Sequence, residues 1–151
     1  QLRALAILYI NKNKRIFLVD VDNTIIIYDV GSLRVGDRLN LSEGEVNRVL
    51  LKWLERECSK DCSTIIYIAT ARGLGSFREL RVLNKELRFK GILMFGSTKS
   101  KIDLLNLWSS KINSLVLIDD LCDYSKSERS FMPVKADISK SINYLHPNEI
   151  H

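Results

Sequence analysis

The chain is poor in cysteine, and the three it has, Cys58, Cys62 and Cys122, do not make a disulfide framework. A reduced, cytoplasmic setting is therefore expected. Cys58 and Cys62 form a C-x3-C pair, but no second pair of Cys or His stands near it, so a four-ligand zinc site is not expected. The only histidines, His146 and His151, lie near the C-terminus without a partner pattern and read as surface residues. No apolar run approaches the ~20 residues that span a bilayer, so no membrane partner is expected. The apolar start at 2–10 lacks a small-residue cleavage site, which argues against a signal peptide. Repeats, low-complexity tracts and linkers are also missing. The 151 residues then read as one domain, 1–151, long enough for a proper core. The first residue is Gln rather than Met, which leaves open that the chain is a piece of a longer protein.

Acid is scarce in two places. The net charge is +5, and the first fifteen residues carry Arg3, Lys12, Lys14 and Arg15 with no acid. Between Arg72 and Lys101 there are eight basic residues against two acids, Glu79 and Glu86. Such a bias favours an anionic partner by steering, without saying which anion. Arg78, Arg81, Lys85 and Arg88 fall on one helix face, but no aromatic residues interleave with them. The stripe reads as a solvated face rather than a single-strand binding surface.

What is present is organised around one stretch. Ile16-Phe17-Leu18-Val19 is continuously apolar and reads as a strand buried on both faces. It ends abruptly in Asp20 and Asp22, with a hydroxyl at Thr24. Covered acids need a partner, a hydrogen bond or a metal. The carboxyl ends of strands in open α/β sheets are where ligands bind. One carboxylate there can attack phosphorus, and a second can move protons. Mg²⁺ suits such a set, because it prefers oxygen ligands and takes one or two carboxylates plus phosphate oxygens.

The rest of the chain repeats the pattern. Residues 2–10 fit a short helix or an extra strand, and 1–14 read as an N-terminal extension. After Thr24, residues 25–40 contain two glycines and read as a hairpin or flap, too small for a domain. Ser42 and Glu45 form a capping box and predict a helix over 42–58, with Val46, Val49, Leu50, Trp53 and Leu54 at helical spacing. A strand at 65–69 ends in Thr70-Ala71-Arg72. Ser76 with Glu79 predicts a second helix to about Phe89, stopped by Gly91. A strand at 92–95 follows. Ser100 with Asp103 predicts a third helix, and a strand at 115–118 ends in Asp119 and Asp120. Residues 138–145 are read as a last helix. Alternating strands and helices with short connections predict an α/β fold, a Rossmann-like parallel sheet with helices on both faces. One end of that sheet then carries Asp20, Asp22, Thr70, Arg72, Asp119 and Asp120.

At this point the sequence resembles the haloacid dehalogenase superfamily of phosphohydrolases. Asp20-Val21-Asp22-Asn23-Thr24 matches its first motif, D-x-D-x-T. Thr70 matches the second, Lys99 or Lys101 the third, and Asp119-Asp120, with Asp123 behind, the fourth. The likeness covers about residues 15–124, with the motifs in the right order at strand ends. It implies a haloacid-dehalogenase-like fold with a small flap in place of a cap domain. It also implies roles. Asp20 is the nucleophile and a metal ligand. Asp22 is the general acid and base, its backbone carbonyl touching the metal. Thr70 holds phosphoryl oxygens. Lys101 or Lys99 neutralises nucleophile and phosphate, and Lys101 is favoured because a helix supports it. Asp119 binds Mg²⁺, with Asp120 in or just behind the same shell.

Asp22 narrows the reaction, since expelling an alkoxide from a phosphate ester calls for an acid. The expected activity is that of a Mg²⁺-dependent phosphomonoester hydrolase working through an aspartyl phosphate. Arg72, Lys99, and Arg34 and Arg38 on the flap are further candidates to bind substrate. Asn23 stands where many members have Gly. The short insert resembles the family's minimal-cap type, whose members act on large substrates or borrow a cap from a neighbouring subunit, so a homo-oligomer is one expected arrangement. The substrate is a phosphorylated small molecule or a macromolecule end. A polynucleotide 3′-end phosphatase is the alternative within the same chemistry, though nucleic acid is not the favoured partner. A non-catalytic binding or regulatory module of the same fold is the alternative outside it.

Overall fold

Ile16, Phe17, Leu18 and Val19 have no accessible surface, and their burial sets the middle of the molecule. In the computed structural model, which describes residues 2–29, 40–122 and 137–151, they belong to the central strand of a sheet. The chain runs α1 (Leu2–Ile10), β1 (Arg15–Val19), β2 (Ile26–Ile27), β3 (Glu45–Val46), α2 (Arg48–Lys60), β4 (Thr64–Thr70), α3 (Phe77–Leu87), β5 (Gly91–Met94), α4 (Thr98–Trp108), β6 (Ser114–Ile118) and β7 (Ile142–Leu145). The main sheet has the order β5-β4-β1-β6-β7, and every pairing in it is parallel. No helix among the described residues is long and apolar enough to cross a membrane.

Strand alternation splits the core into two layers. Phe17 and Val19 of β1, Ile68 of β4, and Val116 and Ile118 of β6 face α2 and α3, which contribute Leu50, Leu54, Leu80 and Leu83. Ile16 and Leu18, Tyr67 and Ala69, and Leu115 and Leu117 face α1 and α4, which contribute Ala4, Leu8 and Leu105. Helices thus cover both faces, as an all-parallel sheet requires. Trp53 is half-buried and stacks on Phe17, with ring centroids 5.7 Å apart. The first three residues of β1 align with Thr64, Ile65 and Ile66 on one side and with Ser114, Leu115 and Val116 on the other. Because the chain builds β4 and β5 on one side of β1 and then β6 and β7 on the other, the order reverses between β1 and β6. A crevice at the carboxyl ends is expected at such a reversal.

Several boundaries differ from the sequence pattern. The helix expected over 42–58 is Arg48–Lys60 instead. Its cap is Asn47, whose Oδ1 accepts from the Leu50 amide at 3.2 Å while its Nδ2 donates to the Thr24 carbonyl at 3.0 Å. Glu45 and Val46 pair antiparallel with Ile27 and Ile26, so strand pairing displaces the Ser42 capping box and leaves Val46 and Val49 exposed. The helix expected over 138–145 is strand β7, parallel to β6. Ile142 packs into one core layer and Leu145 against the other, a two-sided use that a strand permits. Residues 2–10 resolve to a helix. α4 begins at Thr98, capped by Ser97, whose Oγ accepts from the Ser100 amide at 3.0 Å, rather than at Ser100. α3 ends at Leu87, with Arg88 left-handed at φ 58°, and Gly91 opens β5 instead of stopping the helix. Of the flap expected over 25–40, β2 is described and pairs with β3 beyond it, while residues 30–39, with Arg34 and Arg38, lie outside the described residues, as does Asp123.

Candidate active site

β1 delivers Asp20 at its carboxyl end, where the Asp20 amide still donates to the Ile118 carbonyl of β6 at 2.9 Å. The chain then turns back within a few residues. Asn23 is left-handed at φ 54°, a conformation that asparagine adopts more readily than most residues. The Ile26 amide closes the turn on the Val21 carbonyl at 2.9 Å. Asn23 Oδ1 accepts from the Tyr28 amide at 2.9 Å, so one residue fixes both the turn and the strand leaving it.

The carboxyl ends of β1 and β6 hold a buried charge cluster. Lys101, with no accessible surface, donates from Nζ to Asp20 Oδ1 at 3.1 Å, Asp119 Oδ2 at 2.7 Å and the Ala69 carbonyl at 2.6 Å. It comes from α4 one turn before Leu105, which anchors that helix to the sheet, so helical register aims the amine at the strand ends. Thr24 Oγ1 donates to Asp20 Oδ2 at 3.3 Å. Asp119 Oδ1 accepts from the Leu121 amide at 2.8 Å, at the cost of a left-handed Leu121 (φ 59°). Tyr144 of β7 donates to the Asp119 carbonyl at 2.8 Å and steadies the same turn.

Electrostatics in this cluster follow from burial. Loss of hydration, then repulsion from Asp119, pushes the Asp20 carboxyl well above its ordinary 3.8, against the pull of Lys101. Burial alone would lower Lys101, but Asp119 and Asp20 outweigh it and keep the ammonium above its ordinary range. Asp20, Asp119 and Asp120 each offer an oxygen within 4.8 Å of the others, the one such group among the described residues. Three carboxylates and no nitrogen or sulfur make a hard donor set, which fits Mg²⁺ better than zinc. Together with Asp22 the buried acids at these strand ends number four, while Lys101 and Arg72 supply two cations, a shortfall that a divalent ion would close.

Asp22 sits apart from this trio. Its carboxylate accepts from Arg72 Nε at 2.9 Å (Oδ2), from Arg72 Nη2 at 2.8 Å (Oδ1) and from the Tyr28 hydroxyl at 3.0 Å (Oδ1). Arg72 also donates to Ser76 Oγ at 3.1 Å and lies 3.8 Å from Glu79. Ser76 Oγ, which makes no side-chain cap bond to α3, accepts from that arginine instead. Burial, then the charge of Asp22, raises the Tyr28 hydroxyl far above its ordinary 10.0 and keeps it a donor.

The residues expected from sequence are thus largely gathered. Asp20, Asp119, Asp120 and Lys101 form one cluster, with buried Thr70 at the end of β4, its Oγ1 accepting from the Arg72 amide at 3.0 Å. Of the two lysines, Lys101 is in the cluster and Lys99 is exposed on the first turn of α4. Arg72 reaches Asp22 rather than open space. Tyr28 and Tyr144 were not singled out, since the first fell in the expected flap and the second in the expected last helix, and neither pattern points a hydroxyl at an acid turn. Arg78, Arg81, Lys85 and Arg88 are all exposed, and all three cysteines are free. Compared with known proteins, the chain matches no family model, no curated protein and no solved structure.

Proposed function

We propose that this chain is a Mg²⁺-dependent phosphomonoester hydrolase of the haloacid dehalogenase type, acting through an aspartyl phosphate on Asp20. The observation that carries the reading is Lys101, fully buried, with its ammonium between the Asp20 carboxylate of β1 and the Asp119 carboxylate of β6. A structural ion pair needs no third and fourth carboxylate beside it; a site that receives a phosphoryl group and a cation does. Asp20, Asp119, Asp120 and the Asp22 backbone carbonyl would hold the Mg²⁺. When bound, it would neutralise phosphoryl oxygens as a Lewis acid.

The chain's own residues supply the rest. One Asp20 oxygen forms the bond to phosphorus while the bond to the leaving oxygen breaks, its electron pair departing with that oxygen. Asp22 gives that oxygen a proton. In the second step Asp22 takes a proton from water, the water oxygen bonds to phosphorus, and Asp20 is released with inorganic phosphate. The Thr70 hydroxyl and Lys101 stabilise charge on the equatorial oxygens. Both Asp22 oxygens are engaged by Arg72. The first step requires the guanidinium to let go of one of them, and carrying the proton at the end of the second step requires the same.

The test is phosphate release from a panel holding an aryl phosphate, a sugar phosphate, a nucleotide and a 3′-phosphorylated oligonucleotide. Hydrolysis with Mg²⁺ is expected, abolished by chelation and by Asp20→Asn. A folded protein that releases no phosphate from any of them would favour a non-catalytic module, and hydrolysis of the oligonucleotide alone would move the reading to polynucleotide ends.

A further inference from the structure

We propose that Tyr28 and Arg72 are positioning residues for Asp22, a two-sided clamp that makes turnover depend on the leaving group. This rests on the phosphatase reading above. The hydrogen bonds to the Asp22 carboxylate come from these two residues. Both are themselves tied down. Tyr28 is buried, and its amide is fixed to Asn23 Oδ1 at 2.9 Å. The Arg72 guanidinium is braced by Ser76 Oγ at 3.1 Å and Glu79 at 3.8 Å, and it also lies 3.4 Å from the Tyr28 hydroxyl. The three groups form a closed triangle: Arg72 to Asp22, Tyr28 to Asp22, Arg72 to Tyr28.

The triangle fixes a direction. Asp20 and Asp22 lie on one short turn, yet Lys101 and Thr24 hold Asp20 beside Asp119 at the end of β6, while Tyr28 and Arg72 hold Asp22 toward β2 and the start of α3. A proton donor works only when aimed within hydrogen-bond reach of the leaving oxygen. Tyr28 can hold Asp22 Oδ1 by itself, so the carboxylate keeps its direction while Arg72 releases the other oxygen for the proton. The clamp therefore acts on the steps that use Asp22 and not on attack by Asp20. That distinguishes positioning from substrate binding. A phosphate-binding arginine would change KM for every ester alike.

The experiment compares an alkyl phosphate, whose leaving oxygen needs a proton, with 4-nitrophenyl phosphate, whose leaving group does not. Tyr28→Phe keeps the ring and removes one donor. It is expected to lower kcat on the alkyl phosphate about 10-fold with KM within about twofold, and to slow the pre-steady-state burst of nitrophenol by less than about twofold. Arg72→Ala is expected to show a larger loss with the same selectivity, partly restored by added guanidinium. Should Arg72→Ala not fold, Tyr28→Phe still decides. A nitrophenol burst slowed as much as alkyl phosphate turnover, or a loss confined to KM, overturns the clamp while leaving the phosphatase reading intact. Wild-type protein inactive on both esters overturns both.

Discussion

Lys101 is the residue on which the cluster depends, because it is the cation shared by Asp20 and Asp119. Replacing it by Met leaves two buried carboxylates facing each other without that charge. Loss of one partner from a buried pair costs about 3–5 kcal/mol. Lys101→Met is therefore expected to melt far below wild type in chelator and to regain part of the difference in millimolar Mg²⁺, as read by thermal unfolding. Asp20→Asn is expected to do the reverse. Its carboxylate is disfavoured by burial and by Asp119, so the amide relieves repulsion. The variant should gain a few °C in chelator, since about 1 kcal/mol moves Tm by about 2–4 °C at this size. A lower Tm would mean that the Lys101 contact outweighs the repulsion. The acids were legible because polar residues end apolar runs at 16–19 and 115–118. Lys101 was legible through the likeness to the third motif. The choice over Lys99 rested on a helix starting at Ser100, whereas both lysines lie in α4 and only Lys101 faces the cluster. Tyr28 was not legible, because the turn at Asn23 that brings its hydroxyl back to Asp22 leaves no mark in the apolar run 25–27.

At the level of elements, the β2–β3 pair and α2 control how the site's edge is held. Gly44 sits against Ile26, and a Cβ there would press on Ile26 Cγ2 and stand 3.0 Å from the Tyr28 ring. The buried, β-branched Ile26 has little room to yield, so Gly44→Ala is expected to cost about 1–3 kcal/mol, measured by denaturant unfolding. On the opposite end of β1, Arg15 donates to Glu57 Oε2 of α2 at 2.6 Å. That bond, ahead of the smaller effect of Lys60, holds Glu57 below its ordinary 4.5. A depressed carboxyl stabilises the fold above its unfolded value and ceases to do so as pH falls through the folded one. Glu57→Gln should lower stability by less than about 1 kcal/mol near neutrality, and the gap from wild type should close as the pH drops below 4.5. A gap independent of pH would assign the effect to packing. Neither contact was readable beforehand. The sequence pattern placed a helix over 42–58 because Ser42 and Glu45 satisfy a local rule, and the pairing of Glu45 and Val46 with Ile27 and Ile26 overrode it.

For the whole molecule, the net charge of +5, to which the exposed basic residues of α3 contribute, acts at long range. If the substrate is an anionic ester, kcat/KM is expected to fall with added salt while kcat holds steady, because steering alters encounter and not chemistry. A salt-independent kcat/KM would remove electrostatic attraction from the account. Sheet class and helices on both faces were readable from the alternation of apolar runs, since buried parallel strands leave that pattern. The fifth strand was not, because Ile142–Leu145 carries too short a pattern to separate strand from helix.

The strand order has a consequence for how the protein comes into being. β1 precedes the other four strands of the sheet in the chain and is its middle strand, with Arg15 aligned to Thr64 on one side and Ser114 on the other. A chain emerging from a ribosome carries that apolar strand incomplete until β6 has followed it out. Pairings so far apart in sequence make folding slow and leave intermediates prone to sticking. Asp20 and Asp119 meet only when that last central pairing closes. An ion that needs both of them has nothing to grip in the transition state if β6 docks late. Mg²⁺ would then slow unfolding without hastening folding, and its protection would belong to the finished protein alone.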